Sequence, residues 1–374
     1  MPTICLDCRY IGPRPSGIGT VIQALVDYLP ELAPDWHFKL LRNGALQSPL
    51  SQAANVAEVV VEAAANGPAS MWWLPRLVDL ADVDLFHAPA NILPHGLTMR
   101  TVTTIHDVMW LTDPELCNPR PWGWVERAFY RHGINRALRQ SDAILTVSEA
   151  TRSVIKRLQP ELASRTHAIL PGVADHFRPL AVSASDRKRL GLPPGDYILT
   201  IGQDAPYKNH EAALRGFATA VSSGLALDLV FVQRRSVGAT SLEQLAKALG
   251  VAERVHFLAQ LGDADLPLLY SGARALLHPS LCEGFGMPLA EAMACGCPVI
   301  TSDRSAMPEV TAGAALLVDP LDTACIAGAL TKLVDDPALA VELSRKGLAR
   351  AKDLDRRAFA AATLEAYRRV LSAA

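Results

Sequence analysis

The stretch His278-Pro-Ser-Leu-Cys-Glu-Gly-Phe-Gly-Met-Pro-Leu-Ala-Glu291 decides how this chain is read. Arg274 to His278 is the apolar run of a buried strand, Gly284 and Gly286 permit φ > 0, and Met287 to Ala294 has helical composition. The order is strand, tight loop, helix. Unpaired N–H groups and the positive dipole end at such a helix start favour a phosphate or a polar oxygen, and the glycines let a ligand approach the backbone. Glu291 falls about one turn into the helix, where a carboxylate accepts from two adjacent hydroxyls such as a ribose offers. Glu283 lies in the turn itself, and like-charge repulsion directs it to sugar hydroxyls rather than to a diphosphate. The pair suits a sugar nucleotide. The alternative is a capped core helix carrying two solvated glutamates.

The chain has 374 residues, 50% hydrophobic and 20% charged, which is too large for one ordinary core and fits about two domains. A formal net charge of −2 gives no global attraction to nucleic acid, so any membrane or polyanion contact must come from a local patch. Seven scattered cysteines, with no signal-peptide pattern over Met1 to Tyr10, are expected of a protein in a reducing cytoplasm. No apolar run approaches a membrane span. Cys295 and Cys297 lack the further ligands a metal needs, so these thiols, like Cys5 and Cys8, read as small buried hydrophobes and no metal site is expected. Asp82-Val-Asp84 mimics an Asp-x-Asp metal motif but precedes a strand, where aspartates commonly cap.

Apolar runs alternate with helical stretches: Thr3 to Asp7 then Thr20 to Leu29, and Ala143 to Val147 then Glu149 to Leu158. A second series runs through Tyr197 to Gly202, Leu229 to Val232, Val255 to Leu258, Ala275 to His278, Val299 to Ser302 and Ala315 to Val318. This alternation predicts an α/β protein with parallel sheets. Between the series, Leu170 to Gly195 is rich in proline, glycine and charge, as a linker is. The domains are therefore expected at 1–172 and 173–355, with an amphipathic helix over 356–374.

The Glu283 to Glu291 spacing, its Gly-Phe-Gly, and the following Ala294-Cys-Gly-Cys-Pro-Val-Ile-Thr-Ser302 resemble the donor-site signature of the family-4 retaining glycosyltransferases, and the resemblance covers most of the chain. It implies the GT-B fold, two Rossmann-like parallel-sheet domains facing an interdomain cleft, with the C-terminal helix joined to the acceptor-side first domain. It also implies transfer of a hexose from a nucleotide-diphosphate sugar to a saccharide or lipid-linked glycan, with retention and without metal. Mannose from GDP-mannose is the leading expectation, by likeness to bacterial polysaccharide mannosyltransferases, with UDP-hexoses close behind. No separate cofactor is expected, because the nucleotide sugar is the substrate. A GT-B nucleotide-sugar epimerase and a degenerate sugar-nucleotide-binding subunit are the alternatives.

Other segments take roles within this resemblance. Pro15-Ser-Gly-Ile-Gly-Thr20 follows the first strand; Ile22 stands where a dinucleotide fingerprint needs its third glycine, and the resemblance places Gly17 and Gly19 against the donor phosphates. Thr103-Thr-Ile-His-Asp107 ends an apolar run, where strand-end residues point into a ligand crevice. His106 reads either as a structural histidine or, by the resemblance, as a donor-sugar contact, with Asp107 orienting the loop. His87, at a similar strand end, is an acceptor-side candidate or a packed core residue. Lys208, in Gly202-Gln-Asp-Ala-Pro-Tyr-Lys-Asn209, can neutralise a departing diphosphate. Relatives often carry an arginine directly after the glycine, and here that position is Gln203. The resemblance thus assigns Lys208 to the leaving group, Glu291 to ribose, and Glu283 with Gly284, Phe285, Gly286 and Met287 to the hexose and helix start. Base recognition is expected from backbone around residues 257 to 262. Met71-Trp-Trp-Leu-Pro75, and Pro119 to Gln140 with its tryptophans and arginines, read as a lipid-headgroup contact at the cytoplasmic face of the inner membrane or as an ordinary packed amphipathic helix.

Overall fold

The computed structural model describes residues 1–13, 16–119, 123–233, 239–258 and 261–373. They form two compact units, one of Met1–Pro114, Arg120–Gly172 and Asp355–Ala374, the other of Glu115–Pro119 and Val173–Leu354.

The first unit holds seven parallel strands, β1 (Thr3–Asp7), β2 (His37–Asn43), β3 (Val56–Val61), β4 (Leu85–Ala88), β5 (Arg100–Ile105), β6 (Ala143–Thr146) and β7 (Thr166–Ala168), in the order β3-β2-β1-β4-β5-β6-β7. Every residue of β4 and β6 is buried, because helices cover both faces of a parallel sheet. The helix Arg356–Ser372 belongs to this unit and buries Phe359, Thr363, Tyr367 and Val370, spaced as one helical face. Asp355 caps it by accepting from Ala358 N at 2.6 Å. Arg356 and Arg357 pair at 2.8 Å with Asp27 and Glu31 of the helix Gly17–Leu32.

The second unit holds six parallel strands, β8 (Tyr197–Ile201), β9 (Asp228–Val232), β10 (Val255–Leu258), β11 (Ala275–His278), β12 (Val299–Ser302) and β13 (Ala315–Val318), in the order β10-β9-β8-β11-β12-β13. Its core joins Leu229 and Phe231 of β9, Leu277 of β11 and Ile300 of β12 to Leu214, Phe217, Ile326 and Leu330 from covering helices. In both sheets the order reverses beside the first strand, between β1 and β4 and between β8 and β11. Such a switch point opens a crevice at the C-terminal strand ends, where α/β sheets bind ligands. The alternation of apolar and helical runs thus reads correctly as two doubly wound parallel sheets.

Candidate functional site

Two loops meet at the switch point of the second unit, one after β8 and one after β11. The β8 loop makes a single 3₁₀ turn, Pro206–Lys208, which ends at Asn209 with φ 55° and ψ 38°. Asparagine tolerates this left-handed conformation better than most residues. Its amide then donates to Pro279 O at 3.1 Å and Pro320 O at 2.8 Å, while Leu281 N donates to Tyr207 O at 2.7 Å. The lacing of the loops drives Lys208 inward, to 8% exposure.

Lys208 Nζ donates to Glu283 Oε1 at 2.6 Å. The same oxygen accepts from His278 Nε2 at 3.0 Å and Ser280 Oγ at 2.9 Å. Oε2 takes no hydrogen bond among the described residues. Burial alone would raise the Glu283 pKa, but the Lys208 charge and the His278 donor outweigh it and bring it from 4.5 to about 2. Burial lowers the His278 pKa despite the facing carboxylate, so the imidazole is a neutral donor. The loop backbone is held as well: Ser305, itself at φ 54°, accepts from Glu283 N at 3.3 Å and donates to Glu283 O at 2.6 Å. Glu283 is thus a buried carboxylate with one oxygen anchored.

Beyond it, Gly286 adopts φ 94° and ψ 60° and starts the helix Met287–Ala294 without a side-chain cap. A side chain there would be strained, and an added Cβ would lie 3.1 Å from Leu289 Cδ1. The side chains of Phe285 and Met287 are buried, so what this turn can offer a ligand is backbone. Glu291, half-buried on the same helix, accepts from the Tyr270 hydroxyl at 2.7 Å through Oε2.

In the first unit, His106 follows β5, is 9% exposed, and donates from Nε2 to Pro89 O at 2.8 Å. Burial lowers its pKa to about 4, so Nδ1 remains an unprotonated acceptor. Asn91 Oδ1 accepts from His106 N at 2.6 Å, and Asp107 Oδ1 from Met109 N at 3.0 Å, which fixes the loop. Gly19 N donates to Ser16 Oγ at 3.0 Å, and an added Cβ would meet Tyr10 O at 3.0 Å. Gly17 begins the same helix. His87 takes the packed alternative and not the acceptor-side one. It is wholly buried, with Nδ1 2.6 Å from the Tyr367 hydroxyl and Nε2 2.8 Å from Thr104 Oγ1. Both nitrogens are taken up within the fold, so the ring is a strut under the terminal helix and has no atom left for an acceptor.

Sequence reasoning overlooked an ion pair beside this strut. Arg9 forks onto Asp7 at 2.8 and 2.6 Å and also donates to Ala63 O and Ser70 Oγ. Its partners Asp7 and Ser70 line a small recess at the β1 and β4 ends together with Tyr10, Pro89 and Ile92. Asp82 pairs with Lys39, and Asp84 accepts from Thr3 N at 2.8 Å, which are structural uses. Cys5, Cys8, Cys295 and Cys297 are buried free thiols. Trp72, Trp73, Leu77, Trp124 and Val125 are exposed, alongside exposed Arg76, Arg127 and Arg131. No helix among the described residues is long and apolar enough to cross a membrane. Arg120, Trp122, Ala259 and Gln260, parts of the expected headgroup and base contacts, and Pro15 of the glycine loop lie outside the described residues.

Residues 15–177 match the family described as Glycosyltransferase Family 4, and residues 183–350 match Glycosyl transferases group 1. The chain is 30% identical to the O-antigen chain mannosyltransferase B of Escherichia coli over 76% of its own length and 74% of that protein. Among solved structures it is similar to a sucrose-phosphate synthase from Thermosynechococcus elongatus, with a TM-score of 0.75 and 22% identity over 100% of both chains. Anabaena HepE, solved with UDP and glucose, gives a TM-score of 0.73 at 18% identity over 98% of this chain and 99% of that one. These likenesses set aside the epimerase alternative. The chain belongs to the group 1, family-4 glycosyltransferases and has their GT-B fold.

Proposed function

We propose that the protein transfers a hexose, mannose before others, from a nucleotide-diphosphate sugar to a saccharide or lipid-linked glycan acceptor in polysaccharide biosynthesis. GDP-mannose is the preferred donor and UDP-hexoses are the competitors. The carrying observation is the Glu283 carboxylate, buried with Oε1 fixed by Lys208, His278 and Ser280. A carboxylate so anchored keeps Oε2 for a sugar hydroxyl, and the amides of Phe285 and Gly286, next in sequence, orient the hexose with it. Lys208 neutralises the departing diphosphate. Glu291, steadied by Tyr270, holds the ribose hydroxyls. In the first unit, Nδ1 of His106 accepts from a sugar hydroxyl.

Transfer proceeds with retention and without metal: the departing phosphate takes the acceptor proton on the face it leaves, through an oxocarbenium-like transition state. The similarity to a mannosyltransferase supports the choice of mannose. The exposed Trp72, Trp73 and Trp124, with Arg76, Arg127 and Arg131, support contact with anionic headgroups at a cytoplasmic membrane face.

The test is turnover of GDP-mannose against UDP-hexoses with EDTA present, the product's anomeric configuration being read by NMR. Release of nucleoside diphosphate with an α-linked product is expected. Inverted product, or loss of turnover with EDTA that a divalent ion restores, refutes the mechanism. Sedimentation with vesicles that is indifferent to phosphatidylglycerol content refutes the headgroup contact.

A further inference from the structure

The β8 and β9 ends hold two polar atoms that the Glu283 network does not use. His210, the first residue of the helix His210–Ser222, is 5% exposed, and Gln233, directly after β9, is 4% exposed. Gln233 Nε2 donates to His210 Nδ1, which places the imidazole proton on Nε2. Among the described residues that Nε2 has no hydrogen-bond partner, and neither does Gln233 Oε1. A buried donor left without a partner is costly, so such atoms mark a place where something binds.

The orientation of Nε2 says where. A Cβ built on Gly202 would lie 3.4 Å from His210 Nε2, 3.2 Å from Lys208 Cδ and 3.3 Å from Lys208 Cε. The imidazole N–H and the lysine stem therefore converge over one face of Gly202, which only glycine leaves open. Gln203, the next residue, donates to the Tyr207 hydroxyl at 2.7 Å. Lys208, meanwhile, has its charge matched by Glu283 at 2.6 Å. The pair is neutral as a whole, so a diphosphate arriving there needs further donors. The His210 pKa is lowered to about 3, first by burial and then by Lys208 and His278, which makes the ring a neutral donor across the working range.

We propose that the Nε2–H of His210, oriented by Gln233 and lying over Gly202 beside Lys208, is a second donor to the departing diphosphate, in place of the basic side chain that Gln203 does not supply. No proton is transferred; the bond strengthens as charge grows on the leaving oxygen. The inference rests on the nucleotide-sugar reading of this unit.

Two measurements test it on the full chain. With ¹⁵N-histidine labelling, long-range ¹H–¹⁵N spectra should show His210 protonated at Nε2, with that signal moving on addition of GDP or UDP and much less with the monophosphates. Calorimetry on His210→Phe should show diphosphate affinity reduced about tenfold to hundredfold with monophosphate affinity held, and Gln203→Arg in that background should restore it. An Nε2 signal unmoved by diphosphate, or equal losses for mono- and diphosphate, overturns the proposal and leaves an internal water as the partner of both atoms. Wild-type protein that binds no nucleoside diphosphate overturns the functional reading along with it. Binding that Lys208→Ala weakens and His210→Phe does not overturns this inference alone.

Discussion

Replacing Glu283 with glutamine changes one atom and removes the charge that three donors surround. Burial would raise this carboxyl, yet Lys208 and His278 bring it from 4.5 to about 2. With a tenfold change in equilibrium worth about 1.4 kcal/mol, the ionised form is favoured by about 3 kcal/mol. The glutamine amide would keep an acceptor but leave Lys208, 8% exposed, without a counter-charge. The expected cost to the second unit at pH 7 is therefore about 2–4 kcal/mol. The pH dependence carries a sign. A depressed carboxylate contributes its full stability above 4.5 and loses it as pH falls toward 2, so the gap between wild type and Glu283→Gln should be constant from pH 5 to 8 and narrow below 4.5. Amide exchange in urea, followed on peptides spanning β8 and β11, reads the second unit. The tryptophans at positions 36, 72, 73, 110 and 124 fall in the first unit and none of the chain's tryptophans is in 173–354, so fluorescence follows the first unit. A loss under about 0.5 kcal/mol at pH 7, or a gap that widens in acid, would refute the anchored-carboxylate argument.

Three further outcomes are expected. Tyr270→Phe removes the hydroxyl that holds Glu291 Oε2 at 2.7 Å, so the preference for ribo- over 2′-deoxyribonucleotide donors in kcat/KM should drop several-fold, about 1 kcal/mol; an unchanged ratio counts against Glu291 as the ribose contact. Arg9→Lys cannot reproduce the two-pronged bond to Asp7, and tryptophan-monitored urea unfolding should show the first unit losing about 2–4 kcal/mol, whereas a wild-type midpoint would make the fork dispensable. Burial brings His87 and His106 from 6.5 to about 3 and about 4, so their contribution is complete above pH 6.5 and is lost as pH falls toward those values; at pH 5 the first unit should be weaker by about 4 kcal/mol, and a flat midpoint between pH 7 and 5 would contradict it.

The sheets were legible because parallel strands buried on both faces keep apolar runs, as in Tyr197–Ile201 and Ala275–His278. Strand β7, three residues long, and β3, largely half-buried, carry too little pattern to separate from loop. The turn at Gly284 to Met287 was legible because its signals are local: glycines, a proline in the first helical turn, small residues beyond. His87 stayed open between acceptor side and core because the rule that strand-end residues face ligand ignores what lies above the strand. Its partner Tyr367 is 280 positions away, on a helix whose docking no local pattern encodes.

The Lys208 and Glu283 pairing was hidden for the same reason, and it changes the electrostatic argument most. Taken separately, a lysine reads as phosphate ligand and a glutamate as sugar ligand, and their charges are assigned to different substrate groups. The β8 next to β11 adjacency brings them to 2.6 Å across 75 positions of sequence, so each is the other's first partner. A diphosphate entering that site competes with Glu283 for Lys208 rather than meeting a bare cation. Lysine has three donors, so it can serve both, but the net attraction from the pair is that of a dipole. Affinity for the diphosphate must then come largely from neutral N–H groups held in place before the ligand arrives. Fixed donors cost no reorganisation as charge develops, which is the condition under which they stabilise a leaving group most.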